Sequence, residues 1–269
     1  MSDSSWKIKG SIFEGIDTTA FPRDIKAKGV PAWTGDRILR LIGHLALPAA
    51  AYVLSTDGHY EGALAKMGVA TFAIAANRKL MLHALDAFYG LRWAAQDVTQ
   101  MSGIGGYFGA VKVLFFHNFL HTAVTWMLMY ANPVASSTEI TPREMVGAGT
   151  MVVAGLLQTV PSVQLYLFKR QPANAGKLFT KGLFGVARFI STTGHVLRDI
   201  GAVILTGEPK FIVPFIVVDY PLMASLCAKE TVAYMRTKYK AAYAAYESKC
   251  PPSSSRGFGK RRLGTRTMS

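Results

Sequence analysis

The stretch from residue 145 to 168, "MVGAGTMVVAGLLQTVPSVQLYLF", holds no charged side chain over twenty-four residues. A helix needs about 20 apolar residues to cross a bilayer, so this run alone limits what the chain can fold into. Residues 108–131 form a second run of that length. Shorter or interrupted apolar stretches lie at 38–54, 62–77, 80–96, 184–205 and 211–227. No hydrophobic alternation with two-residue turns recurs, which argues against strands. The pattern predicts an all-α, polytopic membrane helical bundle with five to seven transmembrane helices, six being the central value. Pro161, Pro214 and Pro221 lie inside apolar runs, where they imply kinks satisfied by neighbouring helices.

Charge decides the next question. Of 269 residues only 17% are charged, yet 30 Lys+Arg against 16 Asp+Glu leave a net +14. In a soluble chain this would point to nucleic acid. Here the basic residues sit between and after apolar runs, as in the cationic loops of membrane proteins, and no nucleic-acid partner is expected. Lys169, Arg170, Lys177 and Lys181 connect two expected helices, and the basic segment after residue 229 returns to the same side. With Arg256, Lys260, Arg261 and Arg262 they are candidate contacts for anionic phospholipids such as cardiolipin. The organisation expected is an extended arm at 1–36, a helical bundle at 37–228, an interfacial amphipathic helix at 229–250 and a basic tail at 251–269. In the amphipathic helix, Tyr239, Tyr243 and Tyr246 follow i, i+4, i+7 spacing beside Lys and Arg. That composition suits a headgroup layer or packing on the bundle. Cys227 and Cys250 are too few for a disulfide framework. The first thirty residues lack a continuous apolar core, so targeting is expected to reside in the hydrophobic segments.

Four stretches share an order and spacing: "ALDAFYGLRWAAQ" (84–96), "GLLQTVPSVQLYLFK" (155–169), "GKLFTKGLFGVAR" (176–188) and "MRTKYKAAYAAYESKCP" (235–251). Together they resemble the steroid 5α-reductase-like membrane proteins, in particular their DUF1295-type branch, a superfamily that includes the isoprenylcysteine methyltransferases. The resemblance implies a membrane helical bundle in which NADPH delivers hydride to an activated double bond. The family's fingerprint is Arg-His-Pro-Asn-Tyr followed two residues on by Gly-Glu. Arg188 and Gly194 match it, but Phe189, Ile190, Ser191 and Thr192 stand where His-Pro-Asn-Tyr is expected, and His195 replaces the Glu. The family's acidic positions on the preceding helix fall at Gln158 and Ser162, while Gln164, Phe168 and Lys169 are kept. Phe189 and Ile190 cannot make the bonds that position a nicotinamide.

The expectation is therefore a divergent, non-catalytic member with no catalytic residue and no cofactor. It would serve as an accessory subunit beside other membrane subunits of a large organellar complex, a respiratory or ATP synthase assembly of the mitochondrial inner membrane. The alternative is an active NADPH-dependent reductase, or a methyltransferase, acting on a steroid or lipid, with the endoplasmic reticulum as the alternative membrane. Gln164, Lys169, Arg188, Asp219 and Glu230 would then face the cavity.

Further candidates are weaker. His117 and His121 share a helix face and could bind a metal, with His83 and Asp86 as conjectural partners, but two imidazoles are not a complete ligand set. "GIGGYFGA" (103–110) lacks the third glycine and the preceding strand of a dinucleotide loop. Asp86 and Arg92 are expected to pair with other segments or line a cavity. Asp219, isolated in an apolar run, is expected to pair with a cation such as Arg188 or Arg198.

Overall fold

A computed structural model describes residues 35–99, 119–209 and 228–250, and among them every regular element is helical. The α-helices are α1 (Gly35–Thr56), α2 (His59–Lys66), α3 (Ala76–Thr99), α4 (Leu120–Tyr130), α5 (Pro142–Arg170), α6 (Leu183–Val186), α7 (Ile190–Thr206) and α8 (Ala228–Lys249). Among the described residues, two segments are long and apolar enough to cross a membrane, Ile38–Thr56 and Pro142–Arg170. Residues 108–118 of the expected 108–131 run, and the whole of the 211–227 run, lie outside the described residues.

The polarity of these helices is reversed relative to a water-soluble bundle. On α1 the buried stripe is Arg40, His44, Leu47, Ala51 and Ser55, spaced at 3.6-residue periodicity. Ile38, Leu39, Ile42, Leu45, Tyr52 and Val53 point outward. On α5 the inner face carries Glu144, Gly147, Met151, Ala154, Gly155, Gln158 and Ser162, while Met145, Val146, Val153, Leu156 and Leu167 face out. Only 28% and 33% of the most apolar windows of the two helices are buried. A soluble core helix hides its apolar stripe; these helices expose it, as a hydrocarbon solvent permits.

The most extensive packing joins α5 to α7, followed by α1 to α3 and α3 to α5. The α5/α7 pair is antiparallel and runs on small residues. A Cβ on Gly147 would lie 2.3 Å from the Leu205 nitrogen, and one on Gly201 2.9 Å from the Met151 nitrogen. Small residues of this kind let helix backbones approach where apolar side chains gain little from leaving lipid. Pro161 sits within α5 and is itself buried, and the helix continues past it to Arg170.

The expected apolar stretch at 62–77 is not one helix. It divides into α2 and an extended strap, in which Phe72 N donates to Tyr130 O (2.8 Å) and Ala75 N to Ala135 O (2.9 Å). The strap leads into α3, whose Arg78 organises this end of the bundle. Its Nε donates to Glu144 Oε1 (2.6 Å) and its Nη2 to Glu144 Oε2 (2.9 Å). It also donates to the carbonyls of Ser137 and Glu139. Glu144 closes a capping box on α5: its backbone N donates to Thr141 Oγ1 (3.2 Å) and its carboxylate accepts from Thr141 N (2.7 Å).

Candidate functional site

Two groups of polar residues stand out. The first is a seam through the interior between α1, α3, α4, α5 and α7. Asp97 lies 3.1 Å from Arg40 Nε and 3.2 Å from His44 Nε2. Asp199 lies 3.4 Å from His121 Nε2 and 3.7 Å from Arg198 Nε. Asp86 accepts from Trp126 Nε1 at 2.8 Å. The guanidinium carbons of Arg92 and Arg198 each sit 5.6 Å from the Tyr89 ring centre. A cavity of about 20 Å³, as traced by the centre of a water molecule, opens between Leu82, Asp86, Tyr89, His121, Thr125 and Arg198. It has room for about one water. Ionisable groups this deep in an apolar bundle are costly and mark function or structural pairing.

The second group lies where the chain leaves α5. Gln164 Oε1 accepts from Leu183 N at 3.1 Å, which seats the Gly182 turn. Gly182 has φ 60°, and a Cβ there would lie 2.3 Å from Gln164 Oε1. Lys169 Nζ donates to Lys177 O (3.0 Å) and contacts Tyr239 Oη (3.1 Å). Tyr246 Oη donates to Phe184 O at 2.6 Å, and the Cys250 thiol points at the same carbonyl from 3.2 Å. Phe179 meets Phe168 in a tilted contact (ring centres 4.9 Å apart) and Phe184 edge to face (5.7 Å).

Arg188 closes this group. Its Nη1 donates to Glu247 Oε1 at 2.5 Å, and Arg236 donates to both oxygens of the same carboxylate. Burial would push the Arg188 guanidinium down, but the hydrogen bond to Glu247 overrides it and holds it above its ordinary value. Burial would likewise raise Glu247; hydrogen bonds from Arg188 and Arg236 instead keep it below the usual carboxylate range. Arg236 and Glu247 are eleven residues apart, about 16 Å along a straight helix, yet they touch. The reason is Lys240, whose φ 44°, ψ −119° breaks α8 and folds its two halves toward each other. Tyr243 is buried by this arrangement, and Tyr246 turns to the Phe184 carbonyl. This end of the helix is packed on the bundle.

Several sequence expectations meet here. Gln164, Lys169 and Arg188 do converge on one end of the bundle, with α8 beside them. Arg188 pairs with Glu247, a carboxylate in a polar helix; the expected pairing of Asp219 with Arg188 or Arg198 falls on a residue outside the described ones. Arg198 has Asp199 beside it. Arg170, Lys177 and Lys181 are exposed on the same end as α8. His83 contacts Ser55 Oγ at 3.3 Å and packs against the Trp126 ring at a tilt, 4.7 Å between centres; Asp86 pairs with Trp126 and lines the cavity. Among the described residues no group of three or more His, Cys, Asp or Glu could hold a metal. His117, Asp219, Arg256, Lys260, Arg261, Arg262 and the 103–110 turn lie outside the described residues, as does the Glu230 side chain. Sequence reasoning missed Arg40, His44 and Asp97. Their signal was an Arg and a His four apart inside an apolar run, the spacing of one helix face.

Outward apolar faces, an inward polar seam and a loop clasped by its C-terminal helix define a helical protein of membrane type. A family model described as "Protein of unknown function (DUF1295)" matches residues 69–250, and the chain belongs to that family. The match begins beyond α2 and takes in both polar groups except for Arg40 and His44. Neither the curated proteins nor the solved structures compared with the chain include a match.

Proposed function

We propose that this chain is a non-catalytic accessory subunit, an integral membrane scaffold within a larger organellar assembly. One observation carries the reading. The scaffold residues that the chain shares with reductase-like proteins are all engaged in holding the chain to itself. Arg188 is committed to Glu247, Gln164 to the Leu183 backbone, Lys169 to Lys177 and Tyr239, and Tyr246 to Phe184. At the following positions, Phe189 starts α7 with a left-handed backbone and Ile190 is buried, and neither side chain has a polar group to offer a nicotinamide. The outward apolar faces of α1 and α5 are suited to lipid or to neighbouring subunits. Anionic phospholipid at Lys169, Arg170, Lys177 and Lys181 fits the basic end. The inner mitochondrial membrane, in a respiratory or ATP synthase complex, is the placement we favour.

The test is native electrophoresis of gently solubilised membranes. The reading expects co-migration with a far larger assembly; a monodisperse monomer under mild detergent would overturn it.

The buried seam favours a second reading, an NADPH-dependent membrane reductase or a methyltransferase of lipid or steroid substrates. Cofactor titration of the purified chain separates the two, since saturable binding of NADPH or S-adenosylmethionine supports only this second one.

A further inference from the structure

The guanidinium of Arg92 is 3% exposed and its one hydrogen bond, from Nη1, goes to the neutral Gln96 Oε1 at 3.0 Å. Its Nε and Nη2 have no hydrogen-bond partner. Those two atoms form the side-on fork by which arginine takes a carboxylate through two parallel bonds. A single missing bond could be tolerated; two on one edge of a buried cation are expensive.

The neighbourhood repeats the pattern. Gln158, 1% exposed, leaves both atoms of its amide without a partner, and the Trp93 indole N–H is also unsatisfied. Close packing brings these groups to one layer of the bundle. A Cβ on Gly155 would lie 3.5 Å from Arg92 Cδ, and Gln158 follows one turn later on the same face of α5. The Gln158 Cγ would meet a Cβ on Gly194 at 2.5 Å. The guanidinium carbon of Arg92 lies over the Trp93 ring, 3.8 Å from its centre. Arg198 adds a second guanidinium, its carbon 5.6 Å from the centre of the Tyr89 ring. Asp199 is the carboxylate beside that second cation.

The layer therefore offers donors and positive charge. We propose that the Nε/Nη2 edge of Arg92, with the Gln158 amide, binds a carboxylate, either free or at the end of an acyl chain. A planar two-oxygen anion matches a two-donor fork. The nearby cavity, lined by Leu47, Leu82, Leu85, Met151 and Trp93 with Asp86 on its wall, has room for about one water and so excludes a bulky headgroup. This assignment does not depend on whether the chain is catalytic.

The test uses the full chain in detergent, stripped of fatty acid, with thermal unfolding followed against acetate, oleate and oleyl alcohol. Oleate or acetate raises the midpoint in a dose-dependent way, and oleyl alcohol does not. Response to oleate alone assigns an acyl-chain ligand; response to acetate assigns a free one. Arg92→Lys keeps the charge but loses the fork, and shifts the half-maximal concentration at least about tenfold upward, as does Gln158→Leu. Arg236→Gln, on the surface, leaves it unchanged. No response to either acid, an equal response to oleyl alcohol, or an unchanged dose curve in Arg92→Lys overturns the proposal. If the two variants do not fold, native mass spectrometry of the wild-type chain decides: retention of oleate over oleyl alcohol sustains it, and equal retention refutes it.

Discussion

Arg78 and Glu144 face each other through two hydrogen bonds, 2.6 and 2.9 Å long, at the entry to the bundle, with both side chains closed to solvent. They join the start of α3 to the start of α5, and Arg78 also gathers carbonyls from the loop between α4 and α5. Removing one partner leaves a buried charge uncompensated, which costs about 3–5 kcal/mol. Glu144→Gln and Arg78→Met are therefore expected to unfold in detergent at markedly lower temperature. Arg78→Lys should fail nearly as badly, because a point ammonium cannot replace the fork. Near-wild-type melting of Arg78→Lys would contradict this assignment.

The pairing of Arg188 with Glu247 gives a pH dependence with a definite sign. The folded Glu247 carboxyl lies below its ordinary value, so its contribution to stability is complete above the unfolded carboxylate pKa of about 4.3. It is lost as pH falls through the depressed folded value. Melting temperature should be flat from neutral pH down to mild acidity and then drop. Glu247→Gln should soften that acid limb and lower the plateau, and Arg188→Gln should lower it too, with a loss of stability of roughly 1.5–3 kcal/mol. An acid limb identical in wild type and Glu247→Gln would show that other carboxylates control it.

The α5/α7 seam predicts opposite outcomes for two glycines of one helix. Gly147 meets the Leu205 backbone, so Gly147→Ala forces the helices apart and costs about 1–3 kcal/mol. Gly149 has nothing within 4 Å and is exposed, so Gly149→Ala should be neutral or stabilising by up to about 1 kcal/mol. Melting of the two variants side by side checks the placement; equal effects would mean that the seam is wrongly located.

At the other end, Gly182 combines a positive φ with close contact to Gln164. Gly182→Ala should displace the Gln164 amide from Leu183 and loosen the loop. Limited proteolysis between residues 171 and 187 is the direct measurement, and it should accelerate in Gly182→Ala and Gln164→Ala alike. Unchanged cleavage in both would mean that the turn is held by other contacts.

Much of this was legible in residue order. The uncharged run at 145–168 is the membrane-length helix α5, and the 38–54 run is α1. The loop motifs at 164–188 and the tyrosine helix were recognised as belonging together, and hydrogen bonds from Lys169 and Tyr246 join them. Two features were hidden for physical reasons. Averaging hydropathy along α1 conceals that Arg40, His44 and Ser55 share one face and point inward; only the helical period reveals it. The strap at 67–75 reads as an apolar continuation of α2, because its bonds are made to backbone carbonyls near Tyr130 and Ala135, distant in sequence. Partner choice within the seam was equally unreadable, since it depends on how α3, α5 and α7 are rotated against one another.

Lys240 is the residue whose backbone decides where the end of the chain goes. Were it to relax to ordinary helical dihedrals, α8 would leave as a straight rod and Arg236 could not reach Glu247. Bent, the segment becomes a latch across the loop after α5. Because neither glycine nor proline marks the corner, the latch is held shut by what it grips, Arg188 and the Phe184 carbonyl, rather than by any preference of its own for turning.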